Sequence, residues 1–243
     1  MKTSFVFHSK FLASFVVLKH TGLHLVPMKT NTRFNLPDKA HLLVALIITC
    51  CIAAFGSNAQ NPPKDHAKFD SIYFATAVNV AAKDINQAIR IADSLYKHSK
   101  PEIYRLKALM LSSSLFQQKG EIKKSVQYAV KADSIAVKQQ FYDWEARIAG
   151  FLSTQYRIMG LYEEGEEYLE KGKSVSQKIE NEQMKKLYLG LIYQETAYYE
   201  IEYEQYKKAH KAAKNAENYF NQLVYNEQDK NYFLATNDQL LGR

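Results

Sequence analysis

Three histidines, His66, His98 and His210, are the side chains of residues 60–243 best suited to hold a metal or move a proton. They stand far apart in the chain, and none has a Cys or a second His at ligand spacing. His20 and His24 have the i, i+4 spacing that can set two imidazoles on one helix face, but no Glu or third ligand accompanies them. Asp/Glu pairs abound, on stretches where charge recurs at helical spacing and carboxylates are ordinarily solvated. Cys50 and Cys51 are adjacent inside the most apolar run, which leaves the rest of the chain without a thiol for a disulfide, a zinc knuckle or a nucleophile. No glycine-rich phosphate loop, nucleophile elbow or metalloprotease motif occurs. The expectation is a protein that is not an enzyme and needs no metal or cofactor.

Charge and aromatic residues point toward recognition instead. Glu163, Glu167 and Glu170 return 44 residues later as Lys207, Lys211 and Lys214. The i, i+4, i+7 spacing puts each triplet on one helix face. Either the two faces adjoin and help set the register of neighbouring units, or each is an independent solvated face. All 17 tyrosines fall after residue 60, and Tyr188, Tyr193, Tyr198, Tyr199, Tyr203 and Tyr206 are dense. They fit a core whose hydroxyls reach the edge, or an aromatic groove for a peptide. The formal charge of +7 sits mostly outside this region: residues 1–59 hold six Lys/Arg and one acid, residues 60–243 hold 26 basic and 24 acidic side chains. A nearly neutral body argues against a surface that tracks phosphates, so no nucleic acid is expected as a partner.

The elements that must carry these residues repeat. Ile91-Ala92-Asp93-Ser94-Leu95 is followed forty residues on by Lys131-Ala132-Asp133-Ser134-Ile135 and forty further by Lys171-Gly172-Lys173-Ser174-Val175. The same offset carries Val80 onto Gly120 and Gly160. A period of this size predicts a stacked array of like units, each two amphipathic helices, rather than one globular core. The first unit spans about 67–98, with Ile85, Ala88, Ile89 and Ala92 at helical spacing. In the second, Ser99 and Glu102 have capping-box spacing around Pro101. Ile103, Leu106, Met110 and Ser113 line one face, Gly120 turns, and Ile122, Val126, Ala129 and Ala132 return. The third has Ala149, Leu152, Ser153 and Tyr156 outbound, Gly160 at the turn, and Tyr162, Gly165, Leu169 and Gly172 inbound. The fourth has Leu187, Leu191, Tyr198 and Tyr199 outbound and Tyr206, Ala209, Ala213 and Ala216 inbound. Small residues on the second helices let each lie close against the first. Residues 226–243, with Tyr232, Phe233, Leu240 and Leu241, read as one terminal or capping helix.

The N-terminal part has another character. Leu42–Phe55 is a 14-residue mainly apolar run, preceded by Lys29, Arg33 and Lys39 and followed by Ser57-Asn58-Ala59. This pattern predicts a signal peptide over 28–59 and an exported, periplasmic or secreted protein. The run is short for a span, which takes about 20 apolar residues. An uncleaved anchor or a lipid-anchored cysteine are the other readings. Met28-Lys29-Thr30 repeats Met1-Lys2-Thr3, so residues 1–27 read as a falsely assigned start. Residues 60–66, with Pro62 and Pro63, read as a linker before the repeats of 67–225.

The pairs Ser113/Phe116 with Ser125/Ala132, Ser153/Tyr156 with Gly165/Gly172, and Ala197 with Ala209/Ala216 resemble the tetratricopeptide repeat. That family sets a small residue and an aromatic three apart on its first helix and two small residues seven apart on its second. The resemblance covers about 67–225. It is closest in the second and third units, partial in the fourth, where Glu200 replaces the aromatic, and slight in the first. The units run to about 40 residues against the family's usual 34, without the usual closing proline. The resemblance implies an all-α solenoid of about four hairpins plus a terminal helix, wound as a right-handed superhelix, whose first helices line a concave groove. Lys107, Gln117, Arg147, Thr154, Arg157 and Tyr198 would face that groove. The Lys-and-Asn clamp by which some relatives hold a C-terminal carboxylate is not matched. The implied function is non-catalytic binding of a protein or peptide outside the cytoplasm, with membrane contact only through an uncleaved leader. The alternative is the N-terminal sensory ectodomain of a membrane-bound signalling or transcription regulator.

Overall fold

The computed structural model describes residues 64–224 and 227–242. The readings for 1–27, 28–59 and the linker prolines, with His20, His24, Cys50 and Cys51, lie outside the described residues. Helix α1 (Lys64–Ala75) passes through a π-helical turn (Thr76–Val80) into α2 (Ala81–Lys83) and pairs with α3 (Ile85–His98). The next pairs are α4 (Glu102–Gln118) with α5 (Ile122–Gln139), α6 (Tyr142–Ile158) with α7 (Tyr162–Ser176), and α8 (Glu182–Glu202) with α9 (Tyr206–Asn221). Helix α10 (Glu227–Leu241) closes the series. No strand occurs among the described residues, and none of their helices is long and apolar enough to cross a membrane. Extensive contacts join only elements of the same or the adjacent hairpin. This is the all-α solenoid expected from the repeat.

No hairpin owns its core. One cluster joins Phe69, Tyr73 and Ala88 of the first hairpin to Tyr104, Leu111 and Leu115 of α4. A second joins Leu106, Val126 and Ala132 to Trp144, Ile148 and Phe151 of α6. A third runs from Val175 through Leu187 and Leu191 to Phe220 and, on α10, Phe233. Burial of each hairpin's apolar surface therefore depends on the next one, as in a quasi-one-dimensional array.

The period is not constant. Second helices begin at Ile85, Ile122, Tyr162 and Tyr206, spacings of 37, 40 and 44 residues. Ala92 thus corresponds to Ala129, not to Ala132. All three alanines are buried, because a slip of three residues is nearly one helical turn. Hairpins two to four close through one turn geometry, with Gly120 (φ 80°), Gly160 (φ 74°) and Glu204 (φ 59°) in the left-handed region. In each, the following N–H reaches back five residues: Glu121 to Phe116, Leu161 to Tyr156 and Gln205 to Glu200, at 2.7–2.9 Å. Val80 has no such role. It ends the π-helical turn, and the first hairpin bends instead at Asp84, whose carboxylate caps α3 by accepting from Asn86 and Gln87 N–H at 2.9 Å.

Three further expectations change. Ser99 does not cap α4: it is the C-cap of α3, its N–H donating to the Leu95 carbonyl, and α4 begins at Glu102 with Pro101 as its N-cap. Proline keeps Lys100 out of helical geometry, so the helix cannot start early enough for a Ser99–Glu102 box, and Glu102 pairs with Arg105 at 2.7 Å instead. Helix α1 starts at Lys64, three residues before the expected first repeat. Tyr206, expected in the core, is 66% exposed. Its counterpart Tyr162 is covered by Tyr199 and Tyr203 of the next hairpin, and no such pair lies over Tyr206 among the described residues.

Candidate functional site

The first helices α4, α6 and α8 are sandwiched between their own partners and both neighbouring hairpins, so they are buried on nearly every side. This decides the fate of their polar residues. Ser113 donates to the Ser125 carbonyl at 2.9 Å, both fully buried. Gly165 makes room for the next hairpin as well as for its own: a Cβ there would overlap the Tyr199 hydroxyl and lie 3.2 Å from the Ser153 carbonyl. The Tyr199 hydroxyl donates to that carbonyl at 2.8 Å.

The six groove residues separate into two groups and one outlier. Lys107 and Arg147 are buried, both close to Asp143. Lys107 Nζ lies 3.4 Å from Asp70 on α1, and the Arg147 guanidinium stacks 4.6 Å from the Trp144 ring. Burial pushes the Asp143 carboxyl up. Hydrogen bonds from the Trp144 and Asp143 N–H groups, and the charges of Arg147 and Lys107, oppose that rise. The second group holds Thr154, Arg157 and Tyr198 around Glu195. Arg157 Nε donates to Glu195 Oε1 at 2.7 Å, its Nη1 lies 3.5 Å from Glu202 Oε1, and the guanidinium sits 5.0 Å from the Tyr198 ring. Thr154 is buried and donates to the Gly150 carbonyl. Gln117, half-buried, stands apart from both groups.

Glu195 anchors the second group and escaped sequence reading, although an acid inside the run Leu189–Ala197 was a visible anomaly. Its side chain has no exposed surface, and burial raises its pKa against the opposing charge of Arg157. Burial also disfavours the Arg157 cation, but Glu195 outweighs this and leaves the guanidinium above its ordinary value. An equivalent device joins hairpins two and three: Lys171 Nζ lies 2.6 Å from Asp133 Oδ2 and 3.4 Å from Glu145 Oε1. The Arg157–Glu195 and Lys171–Asp133 pairs bridge adjacent hairpins, where a displaced partner would strand a buried charge.

The remaining chemistry is dispersed. His98 Nδ1 is 2.8 Å from the Ser94 carbonyl on its own helix, and His210 is exposed. No group of three or more His, Cys, Asp or Glu among the described residues could hold a metal ion. Of the two charge triplets, every member is exposed and no ion pair joins one triplet to the other. Glu170 pairs with Lys173, and Lys214 with Glu217, each within its own helix. Among the described residues no register-setting contact joins the two faces, and within one chain each is exposed to solvent by itself.

Exposed apolar surface concentrates at one edge. Of eight large exposed hydrophobic side chains among the described residues, five lie at the turns of the third and fourth hairpins: Ile158, Leu161, Ile201, Tyr203 and Tyr206. Tyr203 stacks edge-on against Tyr162 at 5.7 Å and adjoins Glu166, which makes the two turns one surface.

No protein-family model matches the chain, and no curated protein matches it. Among solved structures it is similar to BtubC (BKLC) from P. vanneervenii, at 13% sequence identity and a TM-score of 0.49, over 84% of this chain and 74% of that one. So distant a likeness says nothing about ligand or activity. The chain is an all-α solenoid of stacked helical hairpins, each dependent on its neighbours for a core.

Proposed function

We propose that the array is of tetratricopeptide type and serves as a non-catalytic scaffold that binds a protein or peptide outside the cytoplasm. The observation that carries this reading is the gathering of Ile158, Leu161, Ile201, Tyr203 and Tyr206 at one edge. Scattered apolar side chains are normal on any surface, but a contiguous set is characteristic of a docking face. The tetratricopeptide assignment draws on the small-residue positions: Ser113 meets Ser125, and a Cβ on Gly172 would lie 3.4 Å from Ala149. Burial of Lys107, Arg147 and Thr154 moves the expected contact from the middle of the first helices toward their turn ends, where Arg157 and Tyr198 are only partly covered.

Site-specific photo-crosslinking in the exporting cell tests this. A crosslinker at Tyr203 or Tyr206 should capture one defined partner, while one at the exposed Arg90 on α3 should not. Equal capture from both positions, or none from either, would refute the reading. Fractionation of the same cells tests export directly.

A further inference from the structure

We propose that the outer face of the third and fourth hairpins is a self-association surface, and that two copies of this chain pair through it about a two-fold axis parallel to the helices. This goes beyond the binding of a foreign partner and does not depend on it.

Helices α7 and α9 both pack antiparallel against α8, so they run in the same direction in the outer layer, without packing extensively on each other. On α7 the buried side is Gly165, Leu169, Gly172 and Val175, and on α9 it is Ala209, Ala213, Ala216 and Phe220. At 100° per residue, Glu163, Glu167 and Glu170 fall opposite the first set, and Lys207, Lys211 and Lys214 opposite the second. All six are exposed. The second helices of two adjacent hairpins therefore present outward stripes of uniform and opposite sign, each two turns long. The outward face of α3 mixes signs within its stripe, with Lys97 2.7 Å from Asp93, whereas on α7 and α9 the intrahelical partners of Glu170 and Lys214, Lys173 and Glu217, stand to the side of the stripe.

Within one chain the stripes point the same way and cannot close on each other, and no ion pair joins them among the described residues. A second copy can satisfy both at once. The axis must run along the helices, midway between α7 and α9. Rotation by a half-turn then lays α7 of each copy on α9 of the other, both running the same way. Because the triplets occupy equivalent positions from Tyr162 and Tyr206, matching residues come level: Glu163 with the partner's Lys207, Glu167 with the partner's Lys211, Glu170 with the partner's Lys214, and the reverse three. An axis running across the helices would instead set acid on acid and base on base. Electrostatics thus selects one of the two symmetric docking modes, and the interface is isologous. The aliphatic stems of the lysines supply apolar contact beneath the charges.

Sedimentation equilibrium of the purified protein tests the proposal. A dimer is expected at about 50 mM NaCl, weakening on the order of tenfold at about 500 mM as the charges are screened. The triple variant Lys207→Glu, Lys211→Glu, Lys214→Glu should be monomeric, and so should Glu163→Lys, Glu167→Lys, Glu170→Lys, each with wild-type helical circular dichroism because only exposed side chains change. Mixed in equal amounts, the two variants should form a heterodimer, and all six substitutions in one chain should restore the homodimer. A wild-type monomer at low salt, a dimer that survives either triple substitution, or a mixture that stays monomeric would each overturn the proposal.

Discussion

Replacing Gly165 with alanine should weaken the junction between hairpins three and four, and the cause can be isolated. On an ordinary helix the change would be favourable by about 1 kcal/mol, because glycine is the poorer helix former. Here the new methyl overlaps the Tyr199 hydroxyl and approaches Tyr199 Cζ to 3.0 Å and the Ser153 carbonyl to 3.2 Å. Moving the ring away breaks its 2.8 Å hydrogen bond to that carbonyl, which is buried. Overpacking costs about 1–3 kcal/mol, and the buried Tyr199 hydroxyl left without its acceptor about another 1–3 kcal/mol, while the Ser153 carbonyl keeps its place in the helix ladder. Set against the propensity gain of about 1 kcal/mol, the net destabilisation is about 1–5 kcal/mol. Tyr199→Phe removes the obstructing oxygen and the hydrogen bond together, so Gly165→Ala in that background should cost under about 1 kcal/mol. Urea unfolding followed by circular dichroism, with equal m-values across the four proteins, measures the cycle. A neutral Gly165→Ala, or the same cost in both backgrounds, would refute the account of Gly165 as a slot for the next hairpin's tyrosine.

Other outcomes follow from the same contacts. Lys171→Met strands the mostly buried Asp133 and Glu145 carboxylates and should cost about 2 kcal/mol in urea unfolding, with part recovered by adding Asp133→Asn. Glu204→Gly should stabilise by about 0.5–1 kcal/mol, since Glu204 holds φ 59° where hairpins two and three have glycine; a loss of stability in the same assay would show that this side chain supports the turn. Stability should also fall in alkali. Burial raises the Tyr168 and Tyr232 phenols to about 12, so the unfolded chain ionises first. Their contribution is complete below about pH 10 and is lost as pH rises toward about 12. Urea midpoints that stay level from pH 8 to pH 11.5 would contradict that.

Much of the fold was legible because helical hairpins are written locally. Gly120 and Gly160 announce turns, since glycine tolerates positive φ. Ala129, Gly172 and Ala216 announce close packing and are all buried. Glu204 hid the fourth turn because it takes the same backbone shape without the residue type that signals it. The first hairpin hid its bend because Asp84 turns the chain with no glycine at all. The groove was the less legible part. Lys107, Arg147 and Thr154 are polar residues at positions that a single amphipathic helix would turn toward water, but a helix packed on three sides has little water-facing side.

The amino-acid sequence determined the elements: which segments are helical, where most of them reverse, and that no hairpin could bury its apolar face alone. Those properties come from side-chain size, backbone freedom and periodicity, which neighbours in the chain supply. Only the tertiary structure decided the partners: that Arg157 meets Glu195 and Lys171 meets Asp133, that Tyr199 fills the space beside Gly165, and that the two charged stripes face outward without touching. Those contacts span some forty residues of sequence. They depend on how far each hairpin is advanced over the last, and that offset is set by packing all the units together.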